Sequence, residues 1–101
     1  MTAKLSYLRC EATPGQFADE VVIAGKDHSG EEFSLFANRQ FVETEQAPHE
    51  ESSVPVLLRV TELAKDGELV LIRLPSQTLA NGQTITVRSE ELEDAPAWQE
   101  A

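Results

Sequence analysis

Six short segments, each alternating or wholly apolar and none with a helical period, confine this chain to a small β domain. They cover residues 5–10, 21–24, 33–36, 56–63, 69–74 and 84–88, with Gly, Pro and Asp clusters between them. Strands alternate their side chains between two faces, so the short runs and turn-forming separators predict a small antiparallel sheet. At 101 residues the chain holds one domain, which buries roughly 60–70% of its unfolded surface. Only 6% of residues are aromatic, so aliphatic side chains supply most of the core.

In the first segment Leu8 and Cys10 share one face, with Leu5, Tyr7 and Arg9 on the other. Pro14-Gly15 turns the chain, and Phe17 is expected to plug the core from that turn. Residues 25–30 contain two glycines and several local hydrogen-bond acceptors, which predicts an antiparallel hairpin between residues 21–24 and 33–36. Residues 38–42 either extend the third strand or form a short turn. Residues 43–53, with Glu43, Glu45, Glu50 and Glu51, offer nothing to bury, so a mobile acidic loop is expected there.

Val56, Leu58 and Val60 alternate with Leu57, Arg59 and Thr61, and Lys65-Asp66-Gly67 turns into a run apolar on both faces, Leu69-Val70-Leu71-Ile72. This pair is read as the hairpin at the centre of the sheet. Leu79 is the expected buried anchor of the connector 76–82, where Asn81-Gly82 is a turn signal. Ile85 and Val87 then face opposite Thr84, Thr86 and Arg88. Ser89 reads as the N-cap of one or two helical turns opening a C-terminal appendage, residues 89–101, with Glu90 and Glu91 suited to the dipole and Pro96 ending it. Lys26-Asp27-His28-Ser29-Gly30-Glu31 and Lys65-Asp66-Gly67-Glu68 look alike, and shared turn chemistry accounts for the likeness without an internal repeat.

Eighteen acidic against eight basic residues give a net charge of −10. That charge repels phosphate and removes the counterion release that drives nucleic-acid binding, so no direct nucleic-acid partner is expected. No apolar run approaches the ~20 residues of a spanning helix, so no membrane role is expected. The start of the chain lacks the apolar stretch of a signal peptide, and the single Cys10 cannot close an internal disulfide. Both point to the cytoplasm.

No motif in the chain specifies a chemistry. Asp27-His28-Ser29 holds the residue types of a hydrolase triad, but neighbours in sequence cannot converge as a triad must, and turn-capping is the simpler role. Cys10, His28 and His49 lack the short paired spacing of a zinc site, and His49-Glu50-Glu51 has no second histidine one turn on. The glycines are scattered, so there is no phosphate cradle, and adjacent pairs such as Glu31-Glu32 point to opposite strand faces. No cofactor, metal site or catalytic residue is assigned.

The chain therefore reads as an all-β domain, a small antiparallel barrel or sandwich of five or six strands with a short C-terminal turn or helix. In strand count and spacing it is similar to the small barrels of SH3-like or OB-like type. The candidate interaction surface is Phe36, Phe41, Leu57, Leu69, Leu71 and Trp98, apolar residues opposite the expected core or outside clean alternation. Either Trp98 or residues 36–42 cover the second sheet face internally, or another chain does. The expected function is a non-enzymatic module that binds a protein partner or its own second copy. An acidic nucleic-acid mimic occupying a basic protein site is the alternative, and an enzyme with a thiol or metal centre is the weaker one.

Overall fold

The computed structural model describes residues 4–15, 17, 19–44, 53–79 and 82–94. The apolar alternation becomes six main antiparallel strands: β1 (Lys4–Pro14), β2 (Glu20–Lys26), β3 (Glu32–Asn38), β5 (Val54–Asp66), β6 (Leu69–Arg73) and β7 (Thr84–Arg88). Two short strands, β4 (Val42–Glu43) and β8 (Leu92–Glu93), each follow a single 3-10 turn, Arg39–Phe41 and Ser89–Glu91 respectively. The main strands run β3-β2-β1-β5-β6-β7 across one sheet, so two three-stranded meanders meet along β1 and β5. Among the described residues there is no α-helix.

The core lies on one face of this sheet. Leu8, Cys10 and Ala12 of β1 meet Leu58, Val56 and Val54 of β5, while Val21 and Ile23, Leu35 and Ala37, Val70 and Ile72, and Ile85 and Val87 continue the layer outward. Leu8 and Leu58 pair directly and are 1% and 0% exposed, and burying each contributes about 1.5–3 kcal/mol.

The sheet curls into a half-barrel. Although β3 and β7 are at opposite ends of the strand order, the amide of His28 in the β2–β3 turn donates to the Thr86 carbonyl at 2.9 Å. Reciprocally, the Leu79 amide in the β6–β7 connector donates to the Ser34 carbonyl at 2.9 Å, and the Ser76 hydroxyl donates to that of Phe36. Each outer strand is thus partly capped by a turn from the other half, which satisfies polar groups that an open edge would leave to solvent.

The register shows an internal two-fold repeat. Leu8↔Leu58 lies on its axis, and equivalent positions are fifty residues apart, or forty-nine for β6 against β2 and for the turn before each. Val42 pairs with Leu58 as Leu92 pairs with Leu8, and Glu43 pairs with Leu57 as Glu93 pairs with Tyr7. Val22↔Phe36 and Ile23↔Leu35 correspond to Leu71↔Thr86 and Ile72↔Ile85. Even single loop bonds repeat: Arg39 N–H to the Asp19 carbonyl matches Ser89 N–H to the Glu68 carbonyl, both 2.8 Å. The two Lys-Asp phrases are not its halves. Lys26-Asp27 opens the β2–β3 turn, whereas Lys65-Asp66 opens the β5–β6 turn, so their likeness is one of turn chemistry.

Several expectations need correcting. Phe17 does not plug the core but is 70% exposed, and Leu79, at 65%, does not anchor its connector. Leu74 and Thr78 are buried instead, the Thr78 hydroxyl donating to the Gly82 carbonyl at 2.8 Å. Positive φ at Gly82, +81°, lets that turn close where a β-carbon would be strained. Arg88, not Ser89, precedes the last 3-10 turn, which leads into β8 on β1; of the expected appendage, residues 95–101 lie outside the described residues. The centre of the sheet is the β1–β5 ladder rather than the β5–β6 hairpin. Of residues 38–42, Asn38 ends β3, Arg39–Phe41 form the first 3-10 turn and Val42 opens β4. Of the expected mobile loop, Glu43 lies in β4, Thr44 bonds the Pro55 carbonyl, and Ser53 bonds Glu11; residues 45–52 lie outside the described residues.

Candidate functional site

The expected surface is not one patch. Leu57 is buried (4% exposed), beside β4 where Glu43 pairs with it, so it presents nothing to a partner. Leu71 pairs with Ala64, seven positions further along β5 and therefore ~23 Å away at the rise of a strand. Leu69 is half-buried opposite Asp66, and Leu71 is 37% exposed. Phe41 is half-buried and rests against the core with Val42 and Leu92. Trp98 lies outside the described residues.

Phe36 does stand out, 44% exposed on the outer face of β3, next to the half-buried Val22. The connector bonded to this strand adds Leu79, whose backbone sits at Ser34, on the same face as Phe36 two positions away. Leu79 escapes sequence reasoning because a large aliphatic side chain in a connector reads as a buried anchor.

The repeat also builds a cleft twice. One cleft, about 370 Å³, is lined by Arg9, Glu11, Gly25, Lys26 and Pro55. The other, about 230 Å³, is lined by their counterparts Arg59, Thr61, Leu74, Pro75 and Leu5. The arginines differ in how they are held. Arg9 Nε donates to Glu93 Oε2 at 2.9 Å and its Nη1 to the Glu90 carbonyl at 3.2 Å. Arg59 Nη2 is 3.9 Å from Glu43 Oε1, too far for a good hydrogen bond. A third concavity adjoins the first and mixes Arg9, Lys26 and Arg88 with Asp27, Glu90 and Glu91.

The residues of the imagined triad form a turn. Asp27 Oδ1 accepts from the Ser29 hydroxyl at 2.7 Å, the Ser29 amide at 2.9 Å and the Glu31 amide at 3.0 Å, while His28 Nδ1 lies 3.2 Å from the Thr86 carbonyl. The Ser29 hydroxyl, with the amides behind it, holds the Asp27 carboxyl below its ordinary range. Cys10 is buried, and desolvation, with a lesser push from the Glu91 carboxylate, drives its thiol up to about 12. A thiol in that state is a packing group rather than a nucleophile at neutral pH. Among the described residues no group of three or more His, Cys, Asp and Glu side chains is placed to hold a metal ion, and no helix is long and apolar enough to cross a membrane.

Comparison of the chain with known protein families, characterised proteins and solved structures returns no match.

Proposed function

We propose that this chain is a non-enzymatic module of the cytoplasm that binds a protein partner through the outer face of β3. The observation supporting this is the exposed pair Phe36 and Leu79, large apolar side chains brought to one strand of a strongly acidic molecule by hydrogen bonds from residues 76–79. Aromatic and branched side chains of this kind form the desolvated centre of interfaces, and the net charge of −10 favours a partner with a basic rim.

The test compares Phe36→Ser/Leu79→Ser with the wild type as bait in a lysate, alongside Leu71→Ser as a control away from the face. The proposal expects one captured protein to be lost with the double variant and kept with the control, with capture persisting at raised salt. An identical captured set for all three baits overturns it. Capture abolished by salt alone favours the nucleic-acid mimic instead, and a change in solution mass confined to the double variant makes the partner a second copy.

A further inference from the structure

The two equivalent clefts differ in charge, and that difference points to a ligand. In the first, Arg9 is neutralised by Glu93, and Glu11 and Glu32 line the wall beside Lys26. In the second, the position of Ala24 is taken by Arg73, so two arginines face one cavity, and among the described residues no carboxylate lines it. Among the described residues Arg59 makes one ion pair, the 3.9 Å approach to Glu43, and Arg73 makes none. Two guanidiniums are thus left near each other in a molecule of net charge −10.

Besides Thr61 and Gln83, the rest of the lining is apolar. Leu5, Phe41, Leu74 and Pro75 contribute to its lining, and Leu5 is 61% exposed although large and aliphatic. Its floor is fixed: Leu74 N–H donates to the Gln83 carbonyl at 2.8 Å, and Gln83 Nε2 donates to the Leu74 carbonyl at 2.9 Å. A prepositioned floor reduces the ordering cost of binding. The 230 Å³ volume is below the range of drug-sized pockets and suits a body about the size of one side chain. Guanidinium forks match a carboxylate in two-pronged geometry, whereas a long polyanion would meet the repulsion of the whole acidic surface.

We propose that this cleft, between β5, the end of β6 and the first 3-10 turn, binds a small organic carboxylate with an apolar body. Arg59 and Arg73 take the carboxylate, and Leu5, Phe41 and Pro75 take the body. This goes beyond the protein-binding face on β3 and uses none of its side chains.

The test titrates the full-length protein with benzoate and follows backbone amide shifts by NMR. Saturable shifts are expected at Thr61, Arg73 and Leu74. Removing one charged donor should weaken binding by about tenfold or more, in Arg59→Gln and in the exposed Arg73→Gln, the second remaining informative if the first fails to fold. Arg9→Gln, at the equivalent place in the other half, should leave the titration unchanged. Benzamide, of the same shape without the charge, and inorganic phosphate, charged without the body, should both bind more weakly. Absence of saturation with millimolar benzoate overturns the proposal, as does equal binding of benzamide or phosphate, or equal weakening by Arg9→Gln.

Discussion

Cys10 shows how position, rather than residue type, sets chemistry. Its counterpart in the second half is Val60, equally buried in the same layer, so the thiol occupies an aliphatic site. Burial raises its pKa from an ordinary 9.0 to about 12, which couples proton loss to unfolding. Between those values the unfolded chain gives up the thiol proton while the folded chain keeps it, so the contribution is complete below about pH 9 and is lost as pH rises toward 12. Relative to Cys10→Val, the wild type is therefore expected to lose stability by up to about 1.4 kcal/mol per pH unit across that window. Urea melts of both proteins at pH 7, 9, 10 and 11 check this, since Tyr and Lys titrations are common to the two and cancel. Parallel pH profiles would mean that the thiol is solvated in the folded state.

Strands differ in how much each face hides, and the two core-facing positions of β6 contrast with its outer ones. Ile72 is 0% exposed, so Ile72→Ala is expected to cost about 2–5 kcal/mol, against under about 1 for Thr86→Ala on the outer face of β7. Leu57→Ala should resemble the first and Leu71→Ala the second, because β4 adjoins Leu57 while Leu71 is partly in solvent. Denaturation midpoints of the four variants test this ordering, and equal values for Leu57 and Leu71 would place both leucines in one environment. The inward faces of these strands were legible because period-two alternation records burial directly: Leu8 and Cys10, Ile85 and Val87 all point where the pattern says. Leu57 is not legible as buried because one of its neighbours in the sheet, Glu43, belongs to a two-residue strand arriving after a 3-10 turn, and elements that short leave no periodicity. Phe17 and Leu79 mark the opposite case, since a large apolar residue in a turn reads as a core anchor yet both are exposed. For the site, Phe36 was found from the sequence, while the paired clefts depend on register between strands fifty residues apart and have no local sequence signal.

At the scale of the whole molecule the repeat divides the chain into two units, neither of which closes alone. β4 of the first half pairs with β5 of the second, β8 of the second pairs with β1 of the first, and Arg9–Glu93 and Arg59–Glu43 bridge the same exchange twice. Sequence identity between the halves is sparse, limited at these positions to matches such as Leu8 with Leu58, Arg9 with Arg59 and Glu43 with Glu93, which is why the repeat is visible in register and not in the letters. The longest ladder, Lys4↔Glu62 through Ala12↔Val54, lies between the halves, so separating them removes the layer that both cores share. The chain made as two pieces, residues 1–44 and 53–101, is therefore expected to give two largely unfolded fragments that recover β structure only on mixing, as a one-to-one complex. Circular dichroism and solution mass of each piece and of the mixture measure this. The second piece has one alternative open to it, since β5 against a copy of itself would set Leu58 on a true two-fold axis with Val56 opposite Val60. The first piece would set Ser6 opposite Cys10 in the same arrangement, a poorer apolar layer. Self-pairing of residues 53–101, displaced by residues 1–44, would confirm that the two-fold geometry is intrinsic to the half. A stable monomeric fold for either piece would show that the central ladder is not what completes the core.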